Sequence, residues 1–261
     1  MAHKFNGTWL PERVYSEYRP ACIDLSKDLT DFKRNIKYIG VVGNDTRNHK
    51  TALAFYKYIE QHYPELLKIK SFLQNDTIGN PIVHEIVHDY TVSAGTLRFI
   101  KVIGDIFIDV KTNWNIPYAK NIVEIGAGYG GQALLIMNYL NDINYTCIDI
   151  PEASQLQKNY LNQFVLQKPV NFQTTENVIE AGYDLVISDY CLSELDISGV
   201  DFYYNIIIKH SNYCYFTINK ASPVRTYLLT VLSDLFNIII EPEMPETSKH
   251  PNEILFCSKK K

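Results

Sequence analysis

The second half of the chain alternates short apolar runs with segments of helical periodicity, and this alternation constrains the fold more than any other feature. The sequence predicts strands at 121–125, 144–150, 170–174, 183–188, 212–218, 236–242 and 253–259. It predicts helices at 131–140, 152–166, 200–208 and 225–235. The turn-rich segment 243–252 predicts that the last strand returns antiparallel at the edge. We therefore expect an α/β fold with a mostly parallel seven-stranded sheet, an antiparallel edge strand, and helices on both faces.

A glycine-rich loop follows the first of these strands. Gly126, Gly128 and Gly131 satisfy G-x-G-x-x-G between a strand and a helix, which lets a ligand approach the backbone at the helix N-terminus. Asp149 ends the next strand, where a carboxylate can accept hydrogen bonds from both hydroxyls of a ribose. The strand, the helix and the acid together predict a nucleoside cofactor.

Glu124 distinguishes between the cofactors that such a loop can bind. It lies two residues before Gly126, on a strand whose two faces should be covered, where a charge is costly unless it has partners. An NAD-binding strand normally carries apolar residues there. The pattern E-x-G-x-G-x-G instead resembles motif I of class I S-adenosylmethionine-dependent methyltransferases, in which the acid lies close to the methionine end of the cofactor. This resemblance implies a Rossmann-like methyltransferase core; an NAD enzyme and a loop that binds nothing are the alternatives.

Four further motifs narrow the resemblance to a family of sugar O-methyltransferases. They are GNP (79–81), SAGTLRF (93–99), SDYCLSEL (188–195) and HPNEILF (250–256), and the resemblance covers about residues 74 to 258. The family pattern usually has Asn at the position of Asp189 and Pro at that of Ala94, which leaves the role of Asp189 open. The implied function is methyl transfer from S-adenosylmethionine to a hydroxyl of a nucleotide sugar or glycan, with S-adenosylhomocysteine as product. Methylation of another small molecule is the alternative.

The resemblance also implies a set of site residues. The expected cofactor contacts are Arg98, Glu124, Gly126, Ala127, Gly128, Tyr129, Asp149, Ile150, Asp189 and Tyr190. Arg98 could bind the cofactor carboxylate or an acceptor phosphate, or could be an ordinary residue of the helix surface. A sugar hydroxyl needs a base, and Glu194 is the first candidate, followed by Asp189 and His88. Glu194 could instead stabilise the start of a helix.

The stretch PIVHEIVHDY (81–90) contains H-E-x-x-H, the zinc-protease signature. A zinc protease needs both histidines on a sustained helix and a third ligand further along the chain. Pro81 and the segment 91–95 limit any helix here, and no Glu lies between Glu85 and Glu124. We therefore expect an accidental match in a helical turn and no metal, with a zinc hydrolase as the alternative. The resemblance places the segment in the cap over the cofactor cleft. The candidate acceptor contacts there are His84, His88, Tyr90, Ser93 and Thr96, and histidines that only pack within the cap are the alternative.

Composition and periodicity complete the prediction. Helical spacing at 51–63 and 96–110 predicts a helical N-terminal cap over 1–118, in front of a cofactor-binding domain over 119–261. The chain has 25 Lys and Arg against 29 Asp and Glu, a net charge of −4, which disfavours a nucleic-acid substrate. We found no apolar run of membrane-spanning length and no signal core, so a cytoplasmic protein with reduced cysteines is expected. The expected partner is a sugar or nucleotide sugar, and a homodimer is compatible with the sequence.

Overall fold

The computed structural model of the chain describes residues 14–34, 41, 43, 47–109, 119–246 and 251–261. The predicted boundary at residue 118 and His250 of the HPNEILF motif lie outside the described residues. The helices are α1 (Arg19–Lys27), α2 (His49–His62), α3 (Ala94–Phe107), α4 (Gly131–Tyr139), α5 (Pro151–Leu161), α6 (Cys191–Glu194), α7 (Ile197–Ile206) and α8 (Arg225–Leu235). A π-helical turn (Val14–Tyr18) precedes α1, and 3₁₀ helices cover Pro64–Lys68, Lys70–Thr77 and Ile208–His210. None of these described helices combines the length and apolarity needed to cross a membrane.

Nine strands form two sheets in the described part of the chain. They are β1 (Val83–Val87), β2 (Tyr90–Ser93), β3 (Asn121–Ile125), β4 (Asn144–Asp149), β5 (Asn171–Thr174), β6 (Leu185–Asp189), β7 (Tyr213–Asn219), β8 (Phe236–Pro242) and β9 (Asn252–Lys259). The large sheet has the order β5-β4-β3-β6-β7-β9-β8, and only β9 runs antiparallel to its neighbours. This is a Rossmann-like methyltransferase fold, so the predicted fold class is confirmed.

The antiparallel strand differs from the prediction in its position. β9 lies between β7 and β8, so β8 is the strand at the edge. The reason is burial, because residues 254–257 of β9 are all buried and need a neighbouring strand on each side. Ile239 and Ile240 of β8 are 42% and 45% exposed, as an edge strand allows.

Each face of the large sheet has its own apolar core. Successive residues of β3 separate into the two cores, since Ile122 packs on one face and Val123 on the other. The first core contains residues of α1–α5, and the second contains residues of α6–α8. The N-terminal helices therefore share a core with the sheet. Cys22, Cys147, Cys191, Cys214 and Cys257 are all free thiols.

The H-E-x-x-H segment is a β-hairpin, and the expected helical turn is wrong. His84 pairs with Val92 across β1 and β2, and His88 lies in the turn beside Asp89, whose φ is +64°. Three of the five residues in VHEIV are β-branched (Val83, Ile86 and Val87), which favours a strand over a helix. Residues four apart in a strand are separated by about 13 Å, compared with about 6 Å on a helix, so the two imidazoles cannot share an ion in the protease manner.

Candidate active site

The glycine loop connects β3 to α4 at the carboxyl edge of the sheet. Gly126, Gly128 and Gly130 have φ values of +77°, +57° and +97°, which side-chain-bearing residues rarely adopt. The loop is also closely packed, because a Cβ added to Gly126 would lie 2.3 Å from the Cβ of Cys191. The loop therefore brings bare backbone to the start of α4, where N–H groups are available to a ligand.

Glu124 lies beneath this loop and is 2% exposed. Its carboxylate accepts a hydrogen bond of 2.8 Å from the hydroxyl of Tyr145 on the neighbouring strand. Burial, and after it the charge of Asp189, raises the pKa of Glu124 to about 8, although the hydrogen bond from Tyr145 opposes the shift. The position of Glu124 was expected; its partner Tyr145 was not, because strand pairing is invisible in the sequence.

Asp149 ends β4 and is also buried. It accepts hydrogen bonds from the backbone N–H of Ile150 (2.8 Å), the amide of Gln157 (3.0 Å) and the hydroxyl of Tyr18 (3.3 Å). Burial raises its pKa to about 7 against the effect of these donors. Gln157 was missed, although a polar residue two turns into the helix that follows the acid is a usable signal. Tyr18 lies 131 residues away in the chain and leaves no such signal.

The N-terminal segment covers this end of the sheet. Arg19 forms an ion pair of 2.6 Å with Glu152, and the amide of Asn159 donates to the carbonyl of Ser26 at 2.8 Å. A Cβ on Gly128 would come within 3.2 Å of the carbonyl oxygen of Val41. Residues of α1 and its surroundings thus close over the glycine loop and Asp149.

A buried lysine of the N-terminal region, Lys33, lies beside the glycine loop. Lys33 is fully buried, and its ammonium lies 4.7 Å and 4.9 Å from the ring centroids of Tyr129 and Tyr160. It donates to the carbonyl of Asn75 and to the hydroxyl of Tyr160. Tyr129, expected to contact the cofactor, is 2% exposed and packs edge-on against Tyr160 and Phe32. These contacts fix the outer part of the loop.

Arg98 lies in a buried charged cluster at the carboxyl end of β6. Its Nη1 donates to Asp189 Oδ2 at 3.4 Å, and its Nε lies 3.8 Å from Glu243 Oε1. Its guanidinium carbon is 4.9 Å from the ring centroid of Tyr190. Burial opposes the charge, but Asp189 and then the other acidic groups hold the pKa of Arg98 above its usual value. The alternative of a surface arginine is therefore wrong.

Glu243 is another site residue that the sequence did not reveal. It follows β8 and is buried, and both of its oxygens accept from the Tyr190 hydroxyl, at 2.7 and 2.9 Å. Asn252 donates to it as well, at 2.7 Å. Tyr190 itself has a φ of +67°, an uncommon conformation for a bulky residue. A glutamate in a turn-rich segment resembles a solvated residue, which is why it was missed.

The three candidate bases, Asp189, Glu194 and His88, differ in their exposure to solvent and in their neighbours. Asp189 lies within the charged cluster, where Thr217 also donates to it at 2.7 Å. Glu194 ends the short helix α6 with its side chain exposed, outside this buried cluster. The His88 side chain is 91% exposed, beside Asp89 in the hairpin turn. Of the three, the structure brings only Asp189 together with Arg98.

The predicted acceptor residues have structural partners. Ser93 is the N-cap of α3, and its hydroxyl and that of Thr96 donate to Asp76 at 2.6 and 2.7 Å; both residues are fully buried. Tyr90 packs against Tyr56, with ring centroids 5.6 Å apart. His84 lies 3.0 Å from the carbonyl oxygen of Arg47, and ring contact with His49 adds to this. All four residues thus have partners within the chain, and their contact with the methyl acceptor stays a prediction.

The β1–β2 hairpin lies on the side of the sheet where ligands bind. Arg98 contacts the end of β6, whereas Asp105, seven residues later, accepts from Tyr215 near the start of β7. Helix α3 therefore runs antiparallel to these strands, and its N-terminus points to their carboxyl edge. The hairpin precedes that N-terminus directly. Within the described ranges, no three His, Cys, Asp or Glu side chains are grouped to hold a metal ion.

Comparison with known proteins gives fold-level similarity only. No family model and no curated protein matches the sequence. The methyltransferase domain of bacterial CtHen1 is 11% identical, with a TM-score of 0.48 over 62% of this chain and 97% of that one. Magnesium protoporphyrin IX methyltransferase from Synechocystis, solved with S-adenosylmethionine, is 13% identical, with a TM-score of 0.46 over 80% and 97%. N-methyltransferase NodS from Bradyrhizobium japonicum, solved with S-adenosylhomocysteine, is 12% identical, with a TM-score of 0.42 over 55% and 79%. The fold and the site described above rest on strand order and side-chain contacts alone.

Proposed function

We propose that this chain transfers a methyl group from S-adenosylmethionine to a hydroxyl group of a sugar. The observation that carries the proposal is a glycine loop bordered by two buried carboxyl groups that have raised pKa values and form no salt bridge with a described residue. Burial raises the pKa values of Glu124 and Asp149 to about 8 and about 7, and neither forms a salt bridge with a described residue. A positively charged ligand would supply the missing partner.

Glu124 favours S-adenosylmethionine over NAD. NAD would place a negatively charged pyrophosphate at the start of α4, close to Glu124, whereas an acid at the position of Asp149 can bind the ribose of either cofactor. S-adenosylmethionine carries a positive sulfonium and a ribose with no phosphate. Asp149 would accept hydrogen bonds from that ribose, and the backbone of the glycine loop would accommodate the rest of the cofactor.

The residues of the chain would orient the acceptor and take its proton. When bound, S-adenosylmethionine supplies a methyl group that exchanges its bond to sulfur for a bond to the acceptor oxygen, leaving S-adenosylhomocysteine. Holding the hydroxyl in line can contribute about 7–11 kcal/mol to lowering the barrier. Asp189 lies at the end of the strand next to β3, so we assign it the proton that the hydroxyl loses. A positioned base contributes about 10²–10⁴-fold.

Support for a sugar acceptor comes from where the family-like motifs meet. Arg98 belongs to SAGTLRF, Tyr190 to SDYCLSEL and Asn252 to HPNEILF, and all three contact or approach Glu243. Motifs far apart in sequence thus converge on one buried cluster beside the glycine loop. Another small hydroxylated molecule is the remaining alternative acceptor. A zinc hydrolase has no support, because the two histidines lie on a hairpin.

Ligand-dependent melting followed by methyl transfer tests this proposal. S-adenosylhomocysteine should raise the melting temperature, with a stabilisation of about 2.7 kcal/mol at a hundredfold excess over Kd. NAD should have no effect, and labelled methyl should pass to members of a sugar panel. Stabilisation by NAD alone would contradict the proposal. If the purified protein contained stoichiometric zinc and the His84→Ala variant did not, the result would support the zinc-hydrolase alternative.

A further inference from the structure

One edge of the Arg98 guanidinium has no hydrogen-bond acceptor. Nε and Nη2 are buried, and neither makes a hydrogen bond to a described atom. Carboxylate oxygens lie close to them, since Asp189 Oδ1 is 3.2 Å from Nη2 without forming a hydrogen bond and Glu243 Oε1, at 3.8 Å from Nε, is beyond hydrogen-bond distance. Nε and Nη2 form the side of the guanidinium that donates two parallel hydrogen bonds. Buried donors are nearly always satisfied, so this edge indicates a place for ligand oxygens.

The carboxylates beside this edge are held by other partners. Glu243 receives hydrogen bonds from Tyr190 and Asn252, and Asp189 receives one from Thr217. These donors hold both carboxylates in place next to Arg98. A ligand between this edge and the carboxylates would therefore meet two N–H donors and two carboxylate acceptors together.

We propose that Arg98, Asp189 and Glu243 form the acceptor subsite, and that it binds two neighbouring hydroxyl groups of an uncharged sugar. This proposal rests on the proposed function and specifies the class of acceptor. A hydroxyl both accepts and donates, so each could accept from Arg98 and donate to a flanking carboxylate. A phosphate or carboxylate could use the arginine edge but would face Asp189 and Glu243 with like charge. The acceptor phosphate that the sequence allowed for Arg98 is thus disfavoured.

Sugar binding to the complex with S-adenosylhomocysteine tests the subsite without requiring turnover. Saturation-transfer NMR would compare methyl hexopyranosides with the matching hexuronic acids and hexose 6-phosphates. We expect the uncharged sugars to bind and the anionic ones to bind at least tenfold more weakly. Arg98→Lys, which loses the two-donor edge, should weaken the uncharged sugars about tenfold or more. Glu243→Gln, which keeps the shape and removes a charge, should bring the anionic sugars to within about threefold of the uncharged ones.

The matched control is Arg225→Lys. Arg225 forms a two-bonded pair with Glu253, at 2.8 and 3.0 Å, outside the cluster, and its replacement should leave sugar binding unchanged. Preferential binding of anionic sugars, or binding of no uncharged sugar, would overturn the proposal. So would a loss of S-adenosylhomocysteine affinity in Arg98→Lys with sugar binding intact, because Arg98 would then serve the cofactor. Failure of the wild-type chain to bind S-adenosylhomocysteine would instead contradict the proposed function itself.

Discussion

Two halves of the candidate site are built in opposite ways. The cofactor half (Glu124, the glycine loop 126–130 and Asp149) comes from one continuous β3–α4–β4 unit. The acceptor half (Arg98, Asp189, Tyr190 and Glu243) comes from three distant segments that meet only in the folded chain. The carboxyl groups of the first half form no salt bridge with a described residue, whereas the two carboxylates of the second half share the single charge of Arg98. The two halves therefore differ in how their buried acids are stabilised.

The largest expected effect concerns the acceptor half and the identity of the base. Asp189→Asn should lower the rate of single-turnover methyl transfer by about 10²–10⁴-fold, because the amide cannot take the proton. Glu194→Gln should change it less than about threefold, because Glu194 is exposed outside the cluster. Rapid-quench measurement on one acceptor, with saturating cofactor, compares the two.

A larger loss of rate in Glu194→Gln than in Asp189→Asn would identify Glu194, at the exposed end of α6, as the base. Glu194 was the first candidate from sequence, and the family pattern carries Asn at position 189. Both variants should retain their affinity for S-adenosylhomocysteine within a few-fold. A loss of cofactor affinity in Asp189→Asn would show that the two halves are not separable.

The next largest effect concerns the cofactor half. Asp149→Ala should weaken S-adenosylhomocysteine binding by about 1–3 kcal/mol, since it removes the acceptor for the ribose hydroxyls. Sugar binding at Arg98 should change little. Asp142→Ala removes an exposed carboxylate that pairs with Lys120 and Lys168, and it serves as the control. Calorimetric titration measures both variants, and equal losses would remove Asp149 from the cofactor contacts.

The contrast between the halves also separates what the sequence could predict from what it could not. Strand–loop–helix order is local, so the seven strands of the sheet, the glycine loop, Glu124 and Asp149 were found from patterns of a few residues. Strand order is not local, so the sequence did not reveal that β9 lies between β7 and β8, with β8 at the edge. The strand Val83–Val87 has five residues and no regular alternation of polar and apolar side chains, so the sequence pattern did not reveal the hairpin.

Side chains that act through long-range contacts were the hardest to predict. Glu243 looks like a loop acid until Tyr190 and Asn252 are placed beside it, and Tyr18 has no motif at all. Arg98 was found only through its motif, and its burial between two carboxylates came from the structure. Charge pairing between distant segments is decided by tertiary packing, which composition and periodicity do not encode.

The central claim is that the carboxyl groups of the cofactor half favour a positively charged ligand. Its most direct test is the affinity of S-adenosylmethionine relative to that of S-adenosylhomocysteine, measured as a function of pH. The two ligands differ in the methyl group and the positive charge on sulfur. Glu124, with its pKa raised to about 8, and Asp149, at about 7, hold their protons at pH 6 and lose them by pH 9.

In calorimetry at pH 6, 7, 8 and 9, the affinity for S-adenosylmethionine should increase about tenfold relative to the affinity for S-adenosylhomocysteine as the carboxyl groups ionise. One unit charge nearby contributes about 1–3 kcal/mol to binding in a partly screened site. In Glu124→Gln, the part of this gain above pH 7.5 should disappear. A ratio that stays constant from pH 6 to pH 9 in the wild-type chain would contradict the account, because the buried carboxylates would then not be sensing the cationic sulfur.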